Sequence, residues 1–107
     1  MSPSFQPLAK EVDIDFMVFV ERYASDLLKW DILTYFGRNP DMECSTSQIA
    51  RRLGRSSLAV RSELGDLALL GILDQTKMED GQILYRLTKT GRLRRLTLKF
   101  ATSQSAA

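Results

Sequence analysis

The sequence predicts an α+β domain that is mostly helical, with one β-hairpin towards its C-terminal end and helices on either side of it. Three observations carry that prediction. Residues 45–73 read as two helices joined by a tight turn at Gly54. Residues 72–88 read as a hairpin folded at Glu79, Asp80 and Gly81. Residues 13–37 and 89–101 place apolar side chains at helical spacing, so helices flank the centre.

The helix pair is the most strongly specified part. Ser45 followed by Gln48 is a capping box, which satisfies two of the amides that a helix start leaves without partners. Cys44 and Ile49 have the spacing of a hydrophobic staple across that start, so the cysteine is expected to be a packing residue and not a reactive one. Ile49, Ala50 and Leu53 give the short helix its apolar face, and Gly54 suits a left-handed exit. Ser56 then caps a longer helix over residues 57–70. On it Leu64 and Leu67 fall within about 40° of Val60, which makes those three the buried stripe. Leu58, Ser62, Gly65 and Leu69 lie on the opposite face, with Arg61 and Asp66 on its flanks.

The hairpin has a preferred register. A three-residue loop with Gly81 left-handed pairs Leu73 with Leu87, Gln75 with Tyr85 and Lys77 with Ile83, which puts Leu73, Tyr85 and Leu87 on one face. A two-residue turn at Asp80 and Gly81 would set Leu73 against Thr88 and split those side chains between faces. The longer loop is therefore predicted. It also sets Asp74 opposite Arg86 on the outer face as an opposite-charge pair, so Arg86 is not counted among free cations.

Residues 1–12 contain Pro3 and Pro7 and no periodicity, the pattern of a loosely held arm. Asp13 or Asp15 can cap the helix that follows. Phe16, Phe19, Val20, Tyr23, Leu27 and Trp30 form one apolar stripe, and Leu28, Ile32, Leu33 and Phe36 another. Either the helix breaks near Ser25, itself an N-cap candidate, or one long helix shows two apolar faces. The first stripe then needs a cover. The C-terminal helix of the same chain, with Leu93, Leu96 and Phe100, is one choice; a second copy of the chain is the favoured one. On that reading Phe16, Phe19, Val20, Tyr23, Leu27, Trp30, Leu93, Leu96 and Phe100 form a homodimer interface. Gly37, Arg38, Asn39 and Pro40 read as a helix stop and a loop, and residues 102–107 as a frayed tail.

Composition narrows the chemistry. A chain of 107 residues with 44% apolar and 26% charged side chains fits one soluble domain. No apolar run approaches the ~20 residues of a membrane span, and the N-terminus lacks a signal-peptide pattern, so a cytoplasmic, non-membrane protein is expected. The single cysteine fits a reducing compartment. Histidine is absent, which removes the common zinc sites and the Ser-His and Cys-His catalytic pairs. No acid–base pair or Gly-rich phosphate loop is recognisable either, so neither catalysis, nor a metal, nor a cofactor is expected. Charge is uneven: residues 1–44 hold four basic and eight acidic groups, residues 45–107 eleven and five. A basic half joined to an acidic half hints at a polyanion bound on one face.

The helix pair closing at Gly71, Ile72 and Leu73, followed by the hairpin, resembles the helix-turn-helix and wing of winged-helix domains. Tyr85, Arg86, Leu87 and Thr88, with Gly91 beyond them, are similar to the Y-R-L-T-x-x-G run that ends the wing in prokaryotic repressors of the ArsR, MarR and PadR kinds. The resemblance spans residues 26–98. It implies a winged helix-turn-helix fold and a homodimeric transcriptional regulator that binds duplex DNA through helix 57–70 and the wing. On that footing Ser45, Thr46, Ser56 and Ser57 offer helix starts and hydroxyls to phosphate. Arg51, Arg52 and Arg55, with Arg92 and Arg95 of the last helix, would neutralise the backbone. Ser57, Arg61 and Ser62 would face base edges, and Lys77 and Gln82 lie near the wing tip. The paired cysteines or histidines of ArsR-type metal sensors are missing, so no metal site is carried over. A second reading also stands. Leu58, Gly65 and Leu69 beside Asp66, together with the acidic tip Glu79 and Asp80, suit a protein partner better than phosphate, as in a winged-helix interaction module.

Overall fold

In the computed structural model, which describes residues 13–105, helices and a small sheet surround one core. The arm expected over residues 1–12 lies outside the described residues. Helix α1, Ile14–Tyr23, starts at Asp13, whose carboxylate accepts from the Phe16 amide at 3.0 Å. The chain then breaks, and α2, Leu27–Arg38, begins on Asp26, which accepts from the Lys29 amide at 2.9 Å. Asp26 and not Ser25 is the cap, since the helix starts at Leu27 and the Lys29 amide is three residues beyond Asp26.

The break lets both apolar stripes be used. Ile32, Leu33 and Phe36 of α2 enter the core under the helix pair. The earlier stripe turns instead to the last helix, α5, Arg92–Ser105. Phe19 and Phe100 are both fully buried, with ring centroids 6.2 Å apart, and Trp30 stands edge-on to Phe100 at 4.8 Å. Tyr23 leans on Phe19 at 5.2 Å. Phe16, Val20, Leu93 and Leu96 are half-buried against the same cluster. For two residues of the expected interface this is a correction: Phe19 and Phe100 are covered within the chain and cannot face a second copy. Leu27 alone of that set is left bare, 74% exposed.

Helix α2 ends at Arg38 with Asn39 as its cap, inside the stretch read as a helix stop, and Gly37 itself is still helical. Its place is a close crossing, where a Cβ would fall 2.5 Å from Ala101 Cβ and 2.8 Å from the Thr97 carbonyl oxygen. Against expectation, α5 runs to Ser105 instead of fraying at Thr102. The hydroxyls of Thr102 and Ser103 donate back to the Leu98 and Lys99 carbonyls, so both polar side chains are satisfied on the helix itself.

The helix pair forms as its caps dictate. In α3, Thr46–Leu53, both halves of the box are made: the Gln48 amide donates to Ser45 Oγ at 3.2 Å and the Ser45 amide to Gln48 Oε1 at 2.8 Å. Gly54 exits left-handed at φ 66°. Ser56 caps α4, Ser57–Leu69, and Val60, Leu64 and Leu67 are fully buried. The hairpin of β2, Leu73–Lys77, and β3, Ile83–Leu87, has the predicted register, from Leu73 opposite Leu87 to Lys77 opposite Ile83. The Met78 amide donates to the Gln82 carbonyl at 2.7 Å and closes a loop of Glu79, Asp80 and Gly81, with Gly81 at φ 90°. A short strand that the sequence did not announce, β1, Cys44–Ser45, pairs with the free edge of β3 and gives the order β1-β3-β2. Cys44 is buried there, its sulfur 3.2 Å from the Tyr35 hydroxyl. Among the described residues no helix is long and apolar enough to cross a membrane.

Candidate nucleic-acid interface

The pairing of β1 with β3 is what assembles the candidate site. Ser45 lies opposite Leu84, so the start of α3 is fixed beside the wing strand. A cleft of about 360 Å³ results, lined by Ser45, Thr46, Ser47, Arg61, Gly81, Gln82, Ile83 and Tyr85. Four predicted residues from three separate stretches thus meet: Ser45 and Thr46 at the helix start, Arg61 from α4 and Gln82 from the wing. Ser47 joins them and was not singled out in the sequence. Its position, second in a capped helix, is the signal that would have found it, since its amide is one of the orphans at a helix start.

The predicted residues are not equally available. Ser45 is buried, its amide donates to Gln48 Oε1 and its hydroxyl oxygen accepts from the Gln48 amide, so it fixes the helix start beside the cleft. Ser56 caps α4 through the Ala59 amide at 3.4 Å. Arg61, Ser57 and Ser62 stand exposed along α4. Arg51 and Arg95 are exposed, and neither has a carboxylate in ion-pair range among the described residues. Arg55, by contrast, holds Asp31 at 2.7 Å, and Arg92 holds Asp15 at 3.1 Å. Arg52 sits in a different cleft beside Tyr35, at the far end of α3. Lys77 shares the wing tip with Met78, Glu79 and Asp80, so its charge is outweighed there.

Those pairs explain the uneven charge of the sequence. Asp13 with Lys99, Asp15 with Arg92, Asp31 with Arg55 and Asp41 with Arg94 each join an acid of the first half to a base of the second. The asymmetry is therefore partly an internal tie between α1, α2 and the rest. Lys99 lowers the Asp13 carboxyl below its ordinary range through their hydrogen bond, helped by the Phe16 amide. Lys29 ties α2 to α4 by bridging Asp26 and Glu63, and the Glu63 hydrogen bond raises it above its ordinary value. Asp74 and Arg86 lie opposite each other as predicted but do not close into an ion pair. Arg86 is half-buried, its Nε without a hydrogen-bond partner, so its charge is not cancelled as the sequence had suggested. The outward face of α4 is as apolar as expected, with Leu58 73% and Leu69 88% exposed.

Two helices joined by a glycine turn, a third helix beneath them and a hairpin closing the sheet define a winged helix-turn-helix domain. Solved structures share that fold over nearly the whole chain. The antimony-specific transcriptional repressor AntR is similar at 21% identity, with 99% of this chain and 95% of that one covered and a TM-score of 0.64. The YusO protein from Bacillus subtilis is similar at 18% identity over 96% of this chain and 74% of that one, with a TM-score of 0.60. BldR from Sulfolobus solfataricus, described as a transcriptional regulator, is similar at 16% identity over 95% and 74%, with a TM-score of 0.58. No protein-family model matches the sequence, and no curated protein matches it by sequence.

Proposed function

We propose that the chain is a transcriptional regulator that binds duplex DNA as a homodimer. The observation that carries this reading is the cleft in which the α3 start, Arg61 of α4 and Gln82 of the wing converge. A helix start offers amides to a phosphate, and a long exposed arginine one turn into the next helix can reach the edge of a guanine in two places. Arg51 and Arg95 supply unpaired charge for the backbone, whereas Arg55 and Arg92 must first leave their carboxylates. The fold's occurrence in proteins described as repressors and regulators supports the same reading.

The number of unpaired cations sets the salt response. With about two to three phosphates neutralised per subunit, a dimer contacts about four to six, and log affinity falls against log salt with a slope of about −4 to −5. Fluorescence anisotropy on labelled duplex, across a potassium chloride series, measures it. Arg51→Ala should weaken all sequences alike and flatten the slope by about one unit for each phosphate left unneutralised. Arg61→Ala should cost about 1–3 kcal/mol on the preferred site only. A second reading is favoured by the bare Leu58 and Leu69: a module whose α4 docks on a protein. On that reading Leu58→Asp and Leu69→Asp abolish function while affinity for duplex stays weak and insensitive to Arg61.

A further inference from the structure

At the opposite end of α3 from the wing, a second cleft of about 390 Å³ opens between the last turns of α2 and α3. Arg38 enters it from α2 and Arg52 from α3. The carboxylate on its rim, Asp31, is held by Arg55 at 2.7 Å. Neither Arg38 nor Arg52 has a carboxylate in ion-pair range among the described residues. Two arginines thus line one cleft whose single carboxylate, Asp31, is paired with a third arginine, Arg55, outside the lining. Favourable interaction with the carbonyl ends of α2 and α3 accounts for one arginine on each helix. It does not account for both lining the same cleft, with the Arg52 side chain hydrogen-bonded to Tyr35, while Arg55 takes the carboxylate. The rest of the wall suits a ligand with an apolar body: the Tyr35 ring and Leu53 line it, and Asn39, which gives one amide hydrogen to the Tyr35 carbonyl at 2.9 Å, keeps a second.

We propose that this cleft binds a small dianion, a phosphate monoester, between Arg38 and Arg52. A monoester carries close to two negative charges at neutral pH and matches two guanidiniums, each able to grip it through a fork of N–H groups. A phosphodiester, with one charge, matches half as well. The proposal concerns the DNA-free protein and stands apart from duplex binding.

Isothermal titration calorimetry of the whole chain in chloride buffer, with phenyl phosphate as the probe, tests it. Saturable one-to-one binding is expected, tighter than that of inorganic phosphate because the ring covers Tyr35 and Leu53. Arg38→Ala should weaken it by about tenfold or more, Arg38→Lys by less, and Arg22→Ala, an exposed arginine on α1, not at all. Thermal melts followed by circular dichroism check that the variants fold. Binding of phenyl phosphate weaker than about 10 mM, or equal loss in Arg22→Ala, would overturn the site. If dimethyl phosphate bound as tightly as phenyl phosphate, the cleft would be a contact for a nucleic-acid backbone and the monoester assignment would be wrong.

Discussion

Two glycines in helices separate a residue that the packing requires from one that it tolerates. Gly37 lies where α2 meets α5, and a methyl group there would press on Ala101 Cβ and the Thr97 carbonyl. Backbone is on one side of that contact, so the helices must part, and Gly37→Ala should cost about 1–3 kcal/mol in urea denaturation despite alanine's better helix propensity. Gly65, midway along α4, has nothing within 4 Å of the same position. There the propensity term acts alone, and Gly65→Ala should stabilise by up to about 1 kcal/mol. A loss at Gly65 would mean that α4 is held by something other than its buried stripe. The cap of α3 makes a third case. Ser45→Ala removes the acceptor of the Gln48 amide and should cost about 1 kcal/mol. It should also loosen the start of α3 at the wing cleft, because Ser45 is at once cap and strand residue.

At the scale of elements, the devices that act within a few residues were legible in the sequence and those that join distant stretches were not. The capping box, the Gly54 exit, the α4 stripe and the hairpin register each follow from side chains near one another along the chain. The register followed because only one loop length keeps Leu73, Tyr85 and Leu87 together. The β1 pairing was invisible, since two residues leave no periodicity and their partner lies some forty positions away. For the same reason the wing cleft could be named residue by residue but not seen as one place. The helix stop after Gly37 was legible, but the crossing of α5 above that glycine was not, since nothing local announces it. The tie between α2 and α4 is another long-range feature, and it makes a pH prediction. Lys29 has its folded value raised above 10.5 chiefly by the Glu63 hydrogen bond, against its own burial. A raised value means that the tie stabilises fully below pH 10.5 and is lost as pH rises through the folded value. Asp13, lowered by Lys99, has the opposite sign: its contribution is present above pH 3.8 and lost as the solution is acidified below that. Denaturation midpoints followed across alkaline pH should fall in the unmodified protein by more than in Lys29→Met. Parallel alkaline profiles would remove the Lys29–Glu63 tie from the account of stability.

The whole molecule raises the question of what covers α1. Its inner face, Phe16, Phe19 and Tyr23, is answered by Phe100 and Trp30 of the same chain. Its outer face is Ile14, Met17, Val18 and Glu21, at the spacing that aligns residues on one side of a helix. Ile14 is 67% and Met17 57% exposed, and together with Val18 they border an apolar cleft on the helix surface. Ile14, Met17 and Val18 make an exposed apolar patch beside Glu21, and such a patch marks a face that a partner covers. In a regulator that reads a two-fold site, a second copy meeting this face is the economical cover, because the same patch then serves both partners. The prediction differs from the one the sequence suggested. Phe19→Glu would place a charge in the core and unfold the chain, so it cannot test the dimer. Met17→Glu and Val18→Glu change exposed positions and should leave helix content intact while converting a dimer to a monomer in sedimentation velocity at tens of micromolar. Duplex affinity should drop with them, and the salt slope should fall by about half, since one subunit brings half the phosphate contacts. An unmodified protein that sediments as a monomer at that concentration would refute the dimer, leaving the outer face of α1 to some other partner and the single domain to bind duplex alone.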